Sequence, residues 1–276
     1  MSGSGSAKAI MSAQGRRSLP AYPQKHNRMV DLKIVLLAYP DNPVGAAFIR
    51  IFRDHHIPIQ AVLFETQRTG SRWKRLVTKL HKDGPRATVG RVVQMAVMRV
   101  MGKRSADLCR RYGIPVFQVE RMNGKRCEII LAGLDPDLLI IVSAPVLREP
   151  IFSKARIACL NPHPGWLPKY RGLGANAHAL QKGDDPGVTV HFVNSGIDTG
   201  PVIVREHIPL RRRDTVAKIN DRAMKRGAEL LAGIIRDIQM NCLRMEPIDE
   251  PRGSLYRDMP YREVRRVNRM IRKRMQ

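Results

Sequence analysis

Apolar residues along this chain fall into short unbroken runs separated by turn-forming residues. That is the pattern of strands buried on both faces, not of a half-solvated antiparallel sheet. The run at 32–38 (LKIVLLA) ends in Tyr-Pro-Asp-Asn-Pro, helical spacing follows over 44–55, and 59–64 reads as a second strand. This order predicts the opening of a doubly wound α/β sheet. Residues 105–112 again have helical spacing, closed by Gly113, and 116–119 is a short strand. Asp135-Pro136-Asp137 then leads into the most apolar run, 138–142, followed by a short helix near 147–152 and a strand at 157–160. Strand patterns at GVTVHF and over 202–209 precede one long amphipathic helix over 215–240, for which Asp214 is the expected cap.

Three stretches depart from this rhythm. Residues 1–30 hold Ser, Gly, Pro and Gln with five basic residues and no acidic one, which predicts a disordered basic tail. Residues 66–104 carry eleven basic residues against the single acid Asp83 and include TVGRVVQMAVMRVMG, with Val and Met at helical spacing. A basic helical insertion is expected there, and Trp73 between Arg72 and Lys74 would suit stacking beside phosphate contacts. The last stretch, 246–276, is a basic C-terminal extension whose Val264, Val267 and Ile271 lie on one narrow helical stripe, so it should dock on the body. The expected organisation is therefore a tail at 1–30, a catalytic domain at 31–245 carrying the insertion at 66–104, and the extension at 246–276.

Composition narrows the function classes. With 276 residues, 43% of them hydrophobic, the chain can bury a full core. Forty-nine Lys and Arg against 24 Asp and Glu give a net charge of +25, which favours anionic partners. Nucleic acid held through the basic segments, a nucleotide-linked small molecule, a polyglutamylated cofactor and an acidic membrane surface all fit that charge. Cys109, Cys127, Cys159 and Cys242 form no C-x-x-C pair and follow no secretory signal, which points to a reduced, cytoplasmic setting. The longest apolar run is about half of a membrane span, so no membrane span is expected. The loop after the first strand, PDNPVG, has neither the glycine spacing of a dinucleotide site nor a Walker loop.

Chemistry concentrates at 161–201, NPHPGWLPKYRGLGANAHALQKGDDPGVTVHFVNSGIDTGP. If the strand at 157–160 continues, Asn161 and His163, two residues apart, leave the same face. Asp198 lies in a Gly-Ile-Asp-Thr-Gly loop that can return a carboxylate to the imidazole. An asparagine amide is a neutral donor for a developing oxyanion. A histidine, with a reference pKa of about 6.5, shares protons near neutrality. This is equipment for acyl transfer, yet no Ser or Cys sits at a nucleophile elbow and Ser195 lies in a plain turn, so the attacking group belongs to the substrate. A metal is the competing reading for His163, but the spacings to His178, His191 and His207 match no compact ligand pattern, and no metal is expected. His191 reads as a hydrogen-bonded core histidine on an apolar strand, and His55, His56 and His81 as surface residues. Ser143 and Asn161 both fall at carboxyl ends of strands, where open α/β sheets bind ligands.

NPHPGWLPKYRG followed by GVTVHFVNSGIDTGP resembles the hallmark of the folate-dependent formyltransferases, an Asn-x-His segment ending in Pro-x-x-Arg-Gly and then a Gly-Val-Thr strand leading to a Gly-x-Asp-x-Gly loop. The resemblance is strong over about 135–206 and architectural before that. It implies a Rossmann-like formyltransferase fold, with a mostly parallel twisted sheet and helices on both faces, and 10-formyltetrahydrofolate as one-carbon donor. By the same resemblance Asn161 would hold the formyl oxygen, His163 would assist proton transfer, and Asp198 would orient that histidine and an ordered water. The pterin would lie along the backbone of Ser143, Ala144, Pro145, Val146 and Leu147 and of the loop with Asn194, Gly196 and Ile197. Pro162 and Gly165-Trp166 depart from the family pattern, which bears on how the acceptor fits.

For that acceptor, the resemblance leaves several readings. PDNPVG lacks the glycine- and serine-rich loop of the purine-pathway members. Initiator-tRNA formylases usually carry a C-terminal β-barrel where this sequence has a short basic tail. The favoured acceptor is a small-molecule amine, nucleotide-sugar amines included. The alternatives are a methionyl-tRNA-type enzyme without the usual barrel, a 10-formyltetrahydrofolate hydrolase, and a non-catalytic folate- or RNA-binding protein. Hydrolases of the family append an N-terminal regulatory domain, for which 1–30 is too short.

Overall fold

Alternate residues of β1 (Ile34–Ala38) point to opposite sides of the sheet: Ile34, Leu36 and Ala38 enter one core cluster, Val35 and Leu37 another. Both sides are covered, which is why the run in the sequence is unbroken. The computed structural model describes residues 31–40, 42–66, 105–245 and 248–276. The tail at 1–30 and the insertion from residue 67 to 104, with Trp73 and His81, lie outside the described residues.

Strand β1 pairs in parallel with β2 (Ala61–Glu65) on one side and with β4 (Leu138–Ile141) on the other. β3 (Val116–Val119) adds to β2 and β5 (Ala158–His163) to β4, again in parallel. β7 (Gly187–Phe192) and β8 (Val202–His207) complete the β5 side as antiparallel strands, giving the order β3-β2-β1-β4-β5-β7-β8. The mostly parallel sheet with helices on both faces is thus the architecture of the chain. No helix among the described residues is long and apolar enough to cross a membrane.

One face is covered by α1 (Pro43–Asp54), through Phe48, Ile49 and Phe52, and by α5 (Val216–Gln239), through Leu231, Ala232 and Ile235. The other is covered by α2 (Lys125–Leu134) and the short α3 (Glu149–Phe152), through Cys127, Leu131 and Ile151. Residues 105–111 are helical as the spacing predicts, and Gly113 follows in the left-handed conformation, with φ +65. α2 escapes the apolar pattern because Ile129 is 62% exposed, so its apolar residues form no single stripe.

The cap of α5 differs from expectation. Thr215, not Asp214, is its N-cap, and the Thr215 hydroxyl accepts the Lys218 N–H at 3.3 Å. Asp214 is instead buried beneath Arg222, which donates to both its oxygens at 2.7 and 2.5 Å, and it accepts the Arg211 N–H.

The C-terminal residues dock as their apolar stripe predicts. In α6 (Tyr261–Arg274), Val267 and Ile271 are buried with Met259 against α4 (Ala175–Gln181) and α5. β9 (Ser254–Tyr256) pairs in parallel with β6 (Tyr170–Gly172), forming a second sheet of two strands beside the first.

Helix α5 crosses the sheet close to the chemistry. A Cβ added at Gly227 would lie 2.9 Å from the Pro162 Cβ and 3.2 Å from a Val188 methyl, so the helix backbone rests against the residue between Asn161 and His163. A Cβ at Gly233, in the same helix, would meet nothing within 4 Å. Gly227→Val should therefore lose about 1–3 kcal/mol of stability through overpacking, whereas Gly233→Ala should gain about 0.5–1 kcal/mol from helix propensity. Urea unfolding of the two variants checks this, and equal midpoints would contradict it.

Candidate active site

Asn161 and His163 leave β5 on one face, beyond Leu160, the last residue that pairs with β4. On the other side Asn161 pairs with His191 and His163 with Thr189, both on β7. Directly opposed cross-strand residues share a face. The register therefore brings His191 into the cluster, although the sequence reads as an ordinary core position. The available signal was the period of two: Thr189 and His191 are the polar residues of an otherwise apolar strand, spaced as Asn161 and His163 are.

The hydrogen bonds assign the tautomers. His191 Nδ1 donates to the Phe192 carbonyl at 2.8 Å, which leaves Nε2 to accept from Asn161 Nδ2 at 3.0 Å. The second Asn161 N–H faces Asp198 Oδ1 at 3.5 Å. His163 Nε2 donates to the Tyr170 carbonyl at 2.9 Å, so the free nitrogen of that ring, Nδ1, faces Asp198 Oδ2 at 3.5 Å. Asp198 Oδ2 also accepts the Gly172 N–H at 2.8 Å, and Oδ1 lies 3.6 Å from His191 Nε2. The Asp198 carboxylate thus stands at the centre of the group, on a residue with φ +50, a backbone conformation uncommon outside glycine.

Burial sets the charges. Only 5% of His163 is exposed, and burial pushes its pKa below the usual imidazole range even though the Asp198 carboxylate pulls it up. For Asp198, burial would raise the pKa, but contacts with His191 and His163 and the Gly172 N–H outweigh it and hold the group at about 2. At neutral pH the site therefore holds one carboxylate beside a neutral His163.

Two supports explain local departures in sequence. A Cβ on Gly165 would lie 2.6 Å from His163 Nε2 and 2.5 Å from the Ala175 Cβ, so only glycine lets the loop pass the ring. Trp166 stacks on His207 with ring centres 3.9 Å apart, and the Arg205 guanidinium lies 4.4 Å from the Trp166 ring centre, so stacking and a cation–π contact hold this loop. Gly172 has φ +87, and a Cβ there would come within 2.4 Å of the Tyr256 carbonyl on β9. Leu173 N–H donates to that carbonyl at 3.0 Å. The C-terminal strand thereby supports the N–H that Asp198 accepts, a role for 254–256 that no sequence pattern indicated.

The residues expected along the pterin lie in the loops that follow β4 and β7. Ser143 Oγ accepts the Tyr39 N–H at 3.2 Å and ties the ends of β4 and β1 together. Asn123 clamps the turn that follows, donating to the Val146 carbonyl at 2.9 Å and accepting the Arg148 N–H at 2.8 Å. Leu147 is buried, Ala144 and Pro145 are half-buried, and Val146 is exposed. Ala144 packs against the same core cluster as Val193, which opens the second loop. In that loop Asn194 Oδ1 accepts from Gly196 N at 3.1 Å and Thr199 Oγ1 at 2.8 Å, while Gly196 and Ile197 are exposed. Asn123 was not anticipated, and its signal was the Asn-Gly turn at 123–124.

The other histidines stay apart. His178 donates to the Arg257 carbonyl and stacks on Tyr256, and His207 lies under Trp166. Among the described residues no group of three or more His, Cys, Asp or Glu is placed to hold a metal ion.

Fold and cluster together define an α/β protein with a polar Asn–His–Asp site at the end of a parallel strand. A family model described as formyl transferase matches residues 61–235, and the chain belongs to that family. It is 35% identical over 147 residues to the methionyl-tRNA formyltransferase of Halorhodospira halophila, a match covering 52% of this chain and 46% of that protein. The chain spans about half the length of the curated relatives it matches. Among solved structures, glycinamide ribonucleotide transformylase 1 from Symbiobacterium toebii superposes with a TM-score of 0.58 at 19% identity, over 82% of this chain and 96% of that one. The N-formyltransferase from Helicobacter canadensis, in complex with folinic acid and dTDP-3-aminofucose, gives 0.54 at 16% identity, over 82% and 70%. These structures share the fold.

The geometry makes one nitrogen available for proton exchange. His163 Nε2 is tied to a backbone carbonyl, so a proton enters or leaves at Nδ1, beside the Asp198 carboxylate. Since that carboxylate favours the protonated ring, Asp198→Asn should lower the His163 pKa further. An NMR titration of the histidine rings checks this, and a His163 resonance titrating at higher pH in the variant would contradict it.

Proposed function

We propose that the chain transfers the formyl group of 10-formyltetrahydrofolate to the amine of an anionic small-molecule acceptor, nucleotide-linked amino sugars being the class that fits best. The observation that carries this reading is the convergence of Asn161, His163 and Asp198 with no Ser or Cys bonded to either histidine among the described residues. A site with an oxyanion donor and a proton acceptor but no nucleophile of its own serves an attacking group brought by the substrate. The net charge of +25 supports an anionic acceptor. Cytoplasmic folate chemistry agrees with four cysteines that form no disulfide.

The donor would lie along Ser143, Ala144, Pro145, Val146 and Leu147 and along Asn194, Gly196 and Ile197, with the formyl carbon toward Asn161. The acceptor amine attacks that carbon and the carbonyl oxygen gains charge. Asn161 Nδ2 can turn an N–H to that oxygen because its contact with Asp198, at 3.5 Å, is at the weak limit of a hydrogen bond. The proton released by the amine passes to His163 Nδ1, where Asp198 stabilises the imidazolium. It is returned to N10 as the bond from N10 to the formyl carbon breaks, leaving tetrahydrofolate and an N-formyl amide.

A second reading has a specific observation in its favour. Curated relatives 35% and 36% identical over about half of this chain are methionyl-tRNA formyltransferases, which favours the amine of an aminoacyl-tRNA as the alternative acceptor. Incubation with 10-formyltetrahydrofolate and a panel of nucleotide-linked amino sugars, amino acids and methionyl-tRNA, read by the mass gain of one formyl group, separates the two. Formylation of a nucleotide-linked amine supports the first, and formylation of methionyl-tRNA alone supports the second. Release of formate with every acceptor unmodified would overturn both. Asn161→Ala and His163→Ala should each reduce transfer by about 10²–10³-fold while circular dichroism stays unchanged.

A further inference from the structure

A cavity of about 270 Å³ lies between the start of α5 and the C-terminal helix α6, lined by Thr215, Arg265, Asn268, Arg269 and Arg272. It is separate from the catalytic cluster. Gly227 of α5 rests against Pro162, and Val216 lies eleven residues earlier, about 16 Å along the axis at the helical rise. Arg265, Arg269 and Arg272 recur at i, i+4 and i+7 and so share one face of α6.

None of the three arginines has an anionic partner among the described residues, and neither Asp214, beside Thr215, nor Asp185 is free to supply one. Asp214 is held by Arg222 through both oxygens, and Asp185 is paired with Arg274 at 2.8 Å. The end of α5 supplies little to the cavity, because Asn268 Oδ1 accepts the Val216 N–H at 2.9 Å and Thr215 Oγ1 accepts that of Lys218. The free donors are the guanidiniums and the Asn268 Nδ2. Guanidinium groups stay protonated, so three of them around one cavity repel one another until an anion neutralises them. Their planar pairs of N–H donors match the oxygens of a phosphate, and three positive charges exceed what a single carboxylate would balance.

We propose that this cavity is a phosphate-binding site, which takes its oxyanion from a free diphosphate or from the backbone of an RNA. The two sources share the same chemistry and are told apart by experiment. The full chain is titrated with inorganic pyrophosphate by calorimetry and with a labelled single-stranded RNA by fluorescence anisotropy. The measurements are repeated on Arg265→Gln/Arg269→Gln/Arg272→Gln and on Arg262→Gln/Arg266→Gln/Lys273→Gln. All six residues are exposed, so both variants keep their packing, and each loses the same charge.

The wild type should bind pyrophosphate, and the cavity variant should bind it roughly tenfold or more weakly. The second variant should change by less than about twofold, as expected for charges outside the site. If RNA is the source, pyrophosphate displaces it and the cavity variant loses it; if a free diphosphate is the source, RNA binding does not differ between wild type and cavity variant. Failure of the wild type to bind pyrophosphate, or equal losses in the two variants, would overturn the proposal.

Discussion

The arrangement of this protein turns on one buried carboxylate. Asp198, with its side chain 14% exposed, stays ionised with its oxygens facing the Gly172 N–H and the Asn161 amide, and the His163 and His191 rings at 3.5 and 3.6 Å favour the carboxylate whenever either ring takes a second proton. A buried charge without such partners would be neutralised or expelled. These partners come from three different elements. Asn161 and His163 come from the end of β5, His191 from β7, and Gly172 from β6. The antiparallel register of β5 and β7 and the separate sheet of β6 and β9 are the structural conditions for keeping that charge.

The same requirement reaches outward through the fold. β6 can present Gly172 only where β9 pairs with it, so the chain beyond the long helix contributes to the site without touching its chemistry. On the opposite side, Gly227 brings α5 against Pro162, and Gly165 lets the loop pass the His163 ring. Small residues mark the places where backbone or ring must come close to the strand that carries the Asn and His.

Much of the fold was legible in the sequence because the sheet is covered on both sides. Burial of this kind leaves unbroken apolar runs, and those runs mark β1, β2, β4 and β5 to within a few residues. The Asn161–His163 pair was legible through the period of a strand, and Asp198 through its glycine-flanked loop. What escaped depends on contacts between residues far apart in sequence. α2 has apolar residues on more than one side, α4 is built largely of alanines within a glycine-rich stretch, and β6 and β9 are three residues each and exist through pairing with one another. His191 looked like a core residue because burial and participation in the site coincide there. The cap of α5 was misassigned because Asp214 has a stronger partner in Arg222 than any helix N–H.

The proposed formyl transfer depends on an ionised Asp198 to stabilise the imidazolium that forms as His163 takes the proton of the attacking amine. Single-turnover transfer of a labelled formyl group from 10-formyltetrahydrofolate, compared between wild type and Asp198→Asn, tests it most directly. The amide keeps an oxygen for the Gly172 N–H, so the variant should fold and still bind the donor while its transfer step slows by about 10²-fold or more. Transfer by Asp198→Asn at the wild-type rate would remove Asp198 from that step.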